Sequence, residues 1–223
     1  ESHFSENILI EVTIETYYKT LTNQIDYKDH ADIVLNPEME GELRFGTAKA
    51  YGVELMATRT TGALRGLISY SLSKAEKDFP DINNGQPFPS NYDRRHQFSL
   101  MVSYDLKDRW SFSSQWLFLS GAPATFPVGR YEFGNIVVPI FSERNAYRLP
   151  PYHRLDVGAT LKSIPKKSKR FRWELNFSVY NVYNRKNAWF YFFESTDDNE
   201  LVTEAYKLYL FPIVPSVSFN FKW

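Results

Sequence analysis

The sequence predicts an all-β fold, a transmembrane antiparallel up-and-down β-barrel, on three observations. Period-two segments, apolar on one face and polar on the other, recur from end to end, while helical periodicity is nearly absent. Each segment runs about 10–14 residues, where about 5–6 is typical of a globular strand and about 9–11 tilted residues cross a bilayer. The connections alternate long, short, long, short, as in a meander with wide loops at one end and tight turns at the other.

Eight strands follow in order. The first spans roughly 7–19, with Ile8, Ile10, Val12 and Ile14 on one face. The second, about 47–60, sets out Tyr51, Val53, Leu55 and Ala57, and the third, about 63–76, carries Leu64, Ile68, Tyr70 and Leu72. The fourth, about 95–106, has the cleanest alternation: Phe98, Leu100, Val102 and Tyr104 against Gln97, Ser99, Met101 and Ser103. The fifth, about 109–121, carries Trp110, Phe112, Trp116 and Phe118. The sixth, about 152–163, sets Leu155, Val157, Ala159 and Leu161 against Arg154, Asp156, Gly158 and Thr160. The seventh, about 171–184, sets Trp173, Leu175, Phe177 and Val179 against Arg172, Glu174, Asn176 and Ser178. The eighth ends the chain as VPSVSFNFKW, with Val217, Phe219, Phe221 and Trp223 on its apolar face. Long connections cover 20–46, 77–94, 122–151 and 185–208; short ones are RTTGA, LKDR and SIPKKSKR.

Composition narrows the function classes. Aromatic residues make up 17% of 223, yet mean hydropathy is −0.42. That combination suits a wall with one face in lipid and one in water better than a soluble sandwich, whose strands would be shorter. No apolar run is long enough for a transmembrane helix. The N-terminus ESHFSENILI has no basic region or cleavage site, so the chain reads as cytoplasmic, processed or cut from something longer. Absence of cysteine excludes disulfides and thiol chemistry, and a net charge of zero argues against nucleic acid as partner. There is no GxSxG, no phosphate loop and no Cys/His metal set, so enzymatic activity, cofactor and metal are not expected. His96 beside Asp93 lacks the further ligands a metal would need.

Five stretches in order, GTAKAYGVELMATR, NYDRRHQFSLMVSYDL, RLPPYHRLDVGATLK, WELNFSVYNVYNRKNAWFY and PSVSFNFKW, resemble the last third of a TonB-dependent outer-membrane receptor of the Bacteroidetes type. The resemblance covers nearly the whole of residues 1–223 and implies the last eight strands of a barrel of about 22. It places the chain in the Gram-negative outer membrane, long loops outward, with active uptake of an iron chelate, vitamin or oligosaccharide as the task. The plug and the TonB box of such receptors are absent from this sequence, so the TonB complex would be met through an N-terminal part. A self-contained eight-stranded barrel with a structural or adhesive role is the alternative. Outer-membrane lipid, lipopolysaccharide and the barrel-assembly machinery are the implied partners, with a surface lipoprotein as an open option. Phe219, Phe221 and Trp223 look like the terminal aromatic signal read by that machinery.

Candidate contacts for ligand or partner lie at the loop end. In YDRRH, Arg94 and Arg95 could grip a carboxylate or phosphate; the competing reading is an Asp–Arg network tying loop to wall. In GAPATFPVGRYEFGN, a Gly- and Pro-rich loop, Arg130 and Tyr131 stand out. In NAWFYFF, read as the top of the seventh strand, Trp189 and Tyr191 form either a stacking platform or part of an aromatic girdle. The acidic segment 194–200 is read as solvated and open to divalent ions, and the basic stretch 162–172 as a periplasmic turn beside anionic headgroups. Glu174, Asn176, Asp156, Arg154 and Gln97 are read as facing the lumen.

Overall fold

The computed structural model describes residues 9–31, 36–134, 136–164, 171–196 and 199–222. In chain order the strands are β1 (Ile10–Tyr27), β2 (Leu43–Arg59), β3 (Leu64–Asp78), β4 (Phe88–Pro89), β5 (His96–Leu106), β6 (Trp110–Leu119), β7 (Pro123–Ala124), β8 (Pro127–Phe133), β9 (Ile136–Phe141), β10 (Tyr147–Arg148), β11 (Tyr152–Lys162), β12 (Arg172–Tyr180), β13 (Ala188–Thr196), β14 (Asn199–Tyr209) and β15 (Val214–Lys222). Eight of them build one antiparallel meander in the order β1-β2-β3-β5-β6-β11-β12-β15, with β4 attached to β3. These eight are the eight strands expected from the period-two pattern. Among the described residues β15 does not pair with β1, so the sheet has two open edges and is a sector of wall rather than a closed barrel.

The register shows why the alternation is needed. One cross-strand row runs Ile14, Leu55, Tyr70, Phe98, Phe118 and His153; a lower one runs Tyr104, Phe112, Ala159, Phe177 and Val217. Directly paired residues point to the same side of a sheet, so this side is apolar across all eight strands. The other side carries Glu15 and Glu54, Ser69, Ser99, Gln97, Asp156, Asn176, Glu174 and Ser218. A one-residue slip would exchange the two sides, and the strong two-sidedness is what pins the pairing. On the apolar side, rings gather at both ends of the strands. Tyr18 stacks on Tyr51 and Phe98 meets Trp116 towards the long loops, while Trp110 stacks on Phe112 and Trp173 on Phe219 towards the short turns. Aliphatic side chains fill the band between, the pattern of a lipid-facing wall with two aromatic girdles.

Three expectations are corrected. β1 continues to Tyr27 and β2 begins at Leu43, so the first hairpin reaches further from the wall than 19 and 47 imply. A register shift between Leu21 and Gln24, with Asn23 at φ 54°, interrupts the alternation there and hides the extension from a period-two reading. The segment read as a Gly- and Pro-rich loop contains β8 paired with β9. NAWFYFF is not the top of the seventh strand: β12 stops at Tyr180, and the aromatics form β13, paired with β14. Trp223, Ile8, residues 165–170 of the basic turn and residues 197–198 of the acidic segment lie outside the described residues.

Because the wall turns its apolar side outward, the buried apolar cluster lies elsewhere. Among the described residues it consists of Phe79, Ile82 and Phe88, in the loop between β3 and β5. The Phe79 and Phe88 rings sit 6.1 Å apart, and Lys77 Nζ lies 5.9 Å from the Phe79 ring centre. A Cβ on Gly46 would stand 2.5 Å from Phe79 Cγ, so glycine lets β2 pass close beneath the cluster. Phe79→Ala is expected to cost about 3 kcal/mol of local stability. Hydrogen exchange should then rise at Ile82 and Gly85 while β5 and β6 stay protected; unchanged exchange at Ile82 would remove the cluster from its holding role.

Candidate functional site

The long loops converge over one end of the wall, and charged and amide side chains bind them to each other. Asp26, at the projecting end of β1, receives Lys77 Nζ at 2.8 Å and Arg144 Nη2 at 3.0 Å. Arg144 Nη2 also donates to the Tyr27 carbonyl at 2.9 Å, and its backbone N–H donates to Asn83 Oδ1 at 2.9 Å. Asn83 N–H in turn donates to Asp29 Oδ2 at 2.9 Å. Three separate loops thus meet at Arg144 and Asn83. They enclose an open cleft of about 600 Å³ whose walls include His30, Asn84, Thr125, Phe141 and Glu143. His30 and Phe141 stand 6.2 Å apart across it. The cleft offers rings for stacking and a mixed set of donors and acceptors for a polar solute.

Asp26 lies about eight residues beyond the Tyr18 girdle, or about 25 Å along the strand, outside the bilayer-crossing part. Burial pushes its carboxyl up, but the Lys77 hydrogen bond and the charges of Lys77 and Arg144 outweigh it and hold the pKa below the ordinary 3.8. A depressed carboxylate stabilises the folded rim above the unfolded pKa, and that contribution is lost as pH falls through the folded value. Rim amides are therefore expected to exchange faster as pH drops below 3.8, after correction for intrinsic rates, and Asp26→Asn should flatten this dependence. The same acid profile in the variant would exclude Asp26 as its source.

A second node lies under the rim. Asp93 is buried, 2% exposed. Its carboxylate accepts from Arg148 Nη2 and, at 2.7 Å, from the Ala75 backbone N–H. Arg95 stands 3.8 Å from the same carboxylate, and Arg94 Nη1 donates to the Ser120 carbonyl at 3.0 Å. Arg148 also donates to the Asp93 carbonyl and, at 3.3 Å, to that of Gly121. The two arginines of YDRRH are thus engaged with the wall and its first loop residues. Asn145 continues the network, donating to the Pro89 carbonyl at 2.7 Å and to Asn91 Oδ1 at 2.6 Å.

The third node ties the top of β12 to the lumen side. Asn181, 1% exposed and at φ 56°, donates to the Arg185 carbonyl at 2.9 Å and accepts from Arg185 N–H at 3.0 Å. Its own N–H donates to Asp156 Oδ1 at 2.9 Å. Asp156 Oδ2 receives Arg154 Nε at 2.9 Å, and Arg154 lies 4.0 Å over the Tyr180 ring while donating to the Tyr180 and Tyr152 hydroxyls at 2.6 and 3.1 Å. This cluster borders a trough of about 570 Å³ along the polar side, lined by Gln115, Asn176 and Ser178.

The six loop-end candidates are not brought into one site. Arg94 and Arg95 belong to the Asp93 node. Arg130 and Tyr131 lie on β8, paired with Pro139 and Val138. Trp189 and Tyr191 lie on β13, where Trp189 is 69% exposed. The two outer hairpins meet where Phe126 packs edge-on to Phe193, ring centres 5.4 Å apart. Phe219 and Phe221 sit on the apolar side opposite Leu175 and Trp173. Sequence reasoning missed Asp26, Asn83, Arg144, Arg148 and Asn181. The repeated asparagines of YNVYNRKN were the available signal, because asparagine tolerates the left-handed backbone that Asn181 and Asn184 adopt.

Comparison with known proteins gives a consistent result. The model of the family "TonB dependent receptor-like, beta-barrel" matches residues 4–182. No curated protein sequence matches the chain. Among solved structures, the ferric citrate transporter FecA in its unliganded form superposes with TM-score 0.58 at 16% identity, over 97% of this chain and 29% of that one. The ferripyoverdine receptor of the outer membrane of Pseudomonas aeruginosa, bound to ferripyoverdine, gives TM-score 0.55 at 13% identity, over 96% and 25%. The ferric-catecholate import receptor Fiu of Escherichia coli K12, in a closed form, gives 0.50 at 16%, over 98% and 26%. The chain therefore spans under a third of these structures' length.

Proposed function

Since the chain belongs to the TonB-dependent receptor-like β-barrel family of the outer membrane, we propose that it forms the C-terminal wall and outer loops of a transporter driven through TonB. The carrying observation is the two-sided meander with both edges open among the described residues. A wall sector of this kind is completed by further strands, which favours a barrel of about 22 strands over a self-contained barrel of eight. The supporting features are the apolar side towards lipid, the polar side with Asp156, Asn176 and Glu174 towards a plug, and the cleft around Arg144 and Asn83 at the outer end. On this reading the solute is an iron chelate, vitamin or oligosaccharide. Trp189, Tyr191, Arg130 and Tyr131 on the outer hairpins contact the incoming solute or a covering lipoprotein. Arg94 and Arg95 hold the rim that positions them. Phe219, Phe221 and Trp223 present the assembly signal. The family works by transport and binding, and no step here requires chemistry on the solute.

The reading is tested first by the mass of the native polypeptide from an outer-membrane preparation. A product several-fold heavier than 26.1 kDa carrying these peptides at its C-terminal end is expected. A heat-modifiable product of about that mass would overturn the receptor reading in favour of a small barrel. Uptake of labelled iron chelates, cobalamin and oligosaccharides by cells with and without the gene, each with and without TonB, then tests transport. Uptake of one class that needs both is expected; uptake that ignores TonB would sink the proposal.

A further inference from the structure

The apolar side of the wall carries a defect in its packing and, at the same place, a charge without a carboxylate partner among the described residues. The row Ile10, Arg59, Gly66, Val102 crosses β1, β2, β3 and β5 close to the short turns. Gly66 leaves a gap in that row, and the gap is fixed. A Cβ there would stand 2.6 Å from the Met101 carbonyl oxygen, so the approach of β3 to β5 excludes any side chain. The result is a notch of about 210 Å³, walled by Ile10, Leu64, Ile68, Leu100 and Val102.

Arg59 shares the notch. A cation on the lipid side of a barrel is tolerated near the interface and costly near the bilayer centre, which fits its position at the last residue of β2, next to the turn. Its described polar contact is Nε donating to the Thr61 carbonyl at 3.2 Å, with no carboxylate partner among the described residues. Close by on the opposite side, Arg65 is neutralised by Asp105. Among the described residues, therefore, no anion meets the lipid-side guanidinium, and it is open to one from outside the chain.

We propose that this notch is a binding site for one anionic phospholipid of the periplasmic leaflet. A segment of one acyl chain fills the gap over Gly66, and the Arg59 guanidinium holds the phosphate. The proposal rests on the lipid-facing orientation of the wall and not on which solute the receptor carries. It differs from ordinary boundary lipid in requiring both a shape and a charge at fixed positions.

The test uses the full-length receptor in nanodiscs with equal phosphatidylglycerol and phosphatidylethanolamine, transferred to detergent and weighed by native mass spectrometry. One retained phosphatidylglycerol per receptor is expected. Arg59→Gln should lower retention about fivefold, the loss expected for one basic contact to an anionic lipid, and Arg59→Lys should largely keep it. Ala57→Leu, which fills the notch from β2, should abolish retention with Arg59 intact and carries the test if Arg59→Gln fails to fold. Arg109→Gln, in a neighbouring turn, should change nothing. Equal retention of the two lipids, equal retention in wild type and Ala57→Leu, or displacement of the lipid by inorganic phosphate alone would each overturn the proposal.

Discussion

Asp93→Ala in the full-length receptor is expected to destabilise the outer rim by about 3 kcal/mol, one of the two largest effects we foresee. The carboxylate is almost wholly buried, and the Arg148 guanidinium and the Ala75 backbone N–H both donate to it, with Arg95 3.8 Å away. Removing Asp93 leaves the Ala75 N–H without its acceptor and takes the counter-ion from Arg148, whose side chain is 37% exposed and stays partly hydrated, so the loss is that of the orphaned donor and the broken hydrogen bonds. Ala75 lies in β3 and Arg148 in β10, so the loss should be felt in both places that this residue joins. Limited proteolysis should cut between 142 and 150 at far lower protease concentration, with the wall itself still heat-resistant. Wild-type resistance in that segment would show that the loop is held by something else.

The second large effect is expected from Gly121→Ala. A Cβ at this buried position would lie 1.6 Å from the Leu149 carbonyl oxygen, closer than any side-chain rearrangement could relieve. Backbone has to move, and the short pairing of β7 with β10, closed by Leu149 N–H on the Ala122 carbonyl at 2.9 Å, is what gives way. Overpacking of this severity costs about 3 kcal/mol. Hydrogen exchange at Leu149 reads it directly. Gly129→Ala serves as the contrast, since its Cβ would meet the Ile140 side chain at an ordinary 3.7 Å. Both Asp93 and the Gly121 carbonyl are held by Arg148, so the double variant should lose less than the sum of the two. Strict additivity would mean that the two contacts are independent.

The wall was legible from sequence because lipid and water impose opposite demands on alternate residues; Arg172–Tyr180 meets those demands throughout, and His96–Leu106 departs from them only at His96 and Met101. The outer hairpins were not. In Trp189–Phe193 every residue is aromatic, so no alternation marks the strand, and in β8 Pro127 and Gly129 imitate a loop. The reach of β1 beyond Lys19 was concealed because the bulge at Leu21–Gln24 shifts the phase. Of the site, Asp93 and its neighbouring arginines were visible as a local motif. Arg144, Arg148 and Asn83 were not, because each acquires its meaning from a partner more than 50 residues away in sequence. Such pairings leave no periodic trace along the chain.

The open edges have a consequence for anyone handling this segment by itself. β1 and β15, over 18 and 9 residues, each present a row of backbone donors and acceptors with no strand opposite among the described residues. In water the adjacent aliphatic side would be driven to cover itself, and the quickest partner for a bare strand is another copy of the same strand. Produced alone and without lipid, residues 1–223 should therefore stack edge to edge into fibrous aggregates that bind thioflavin T.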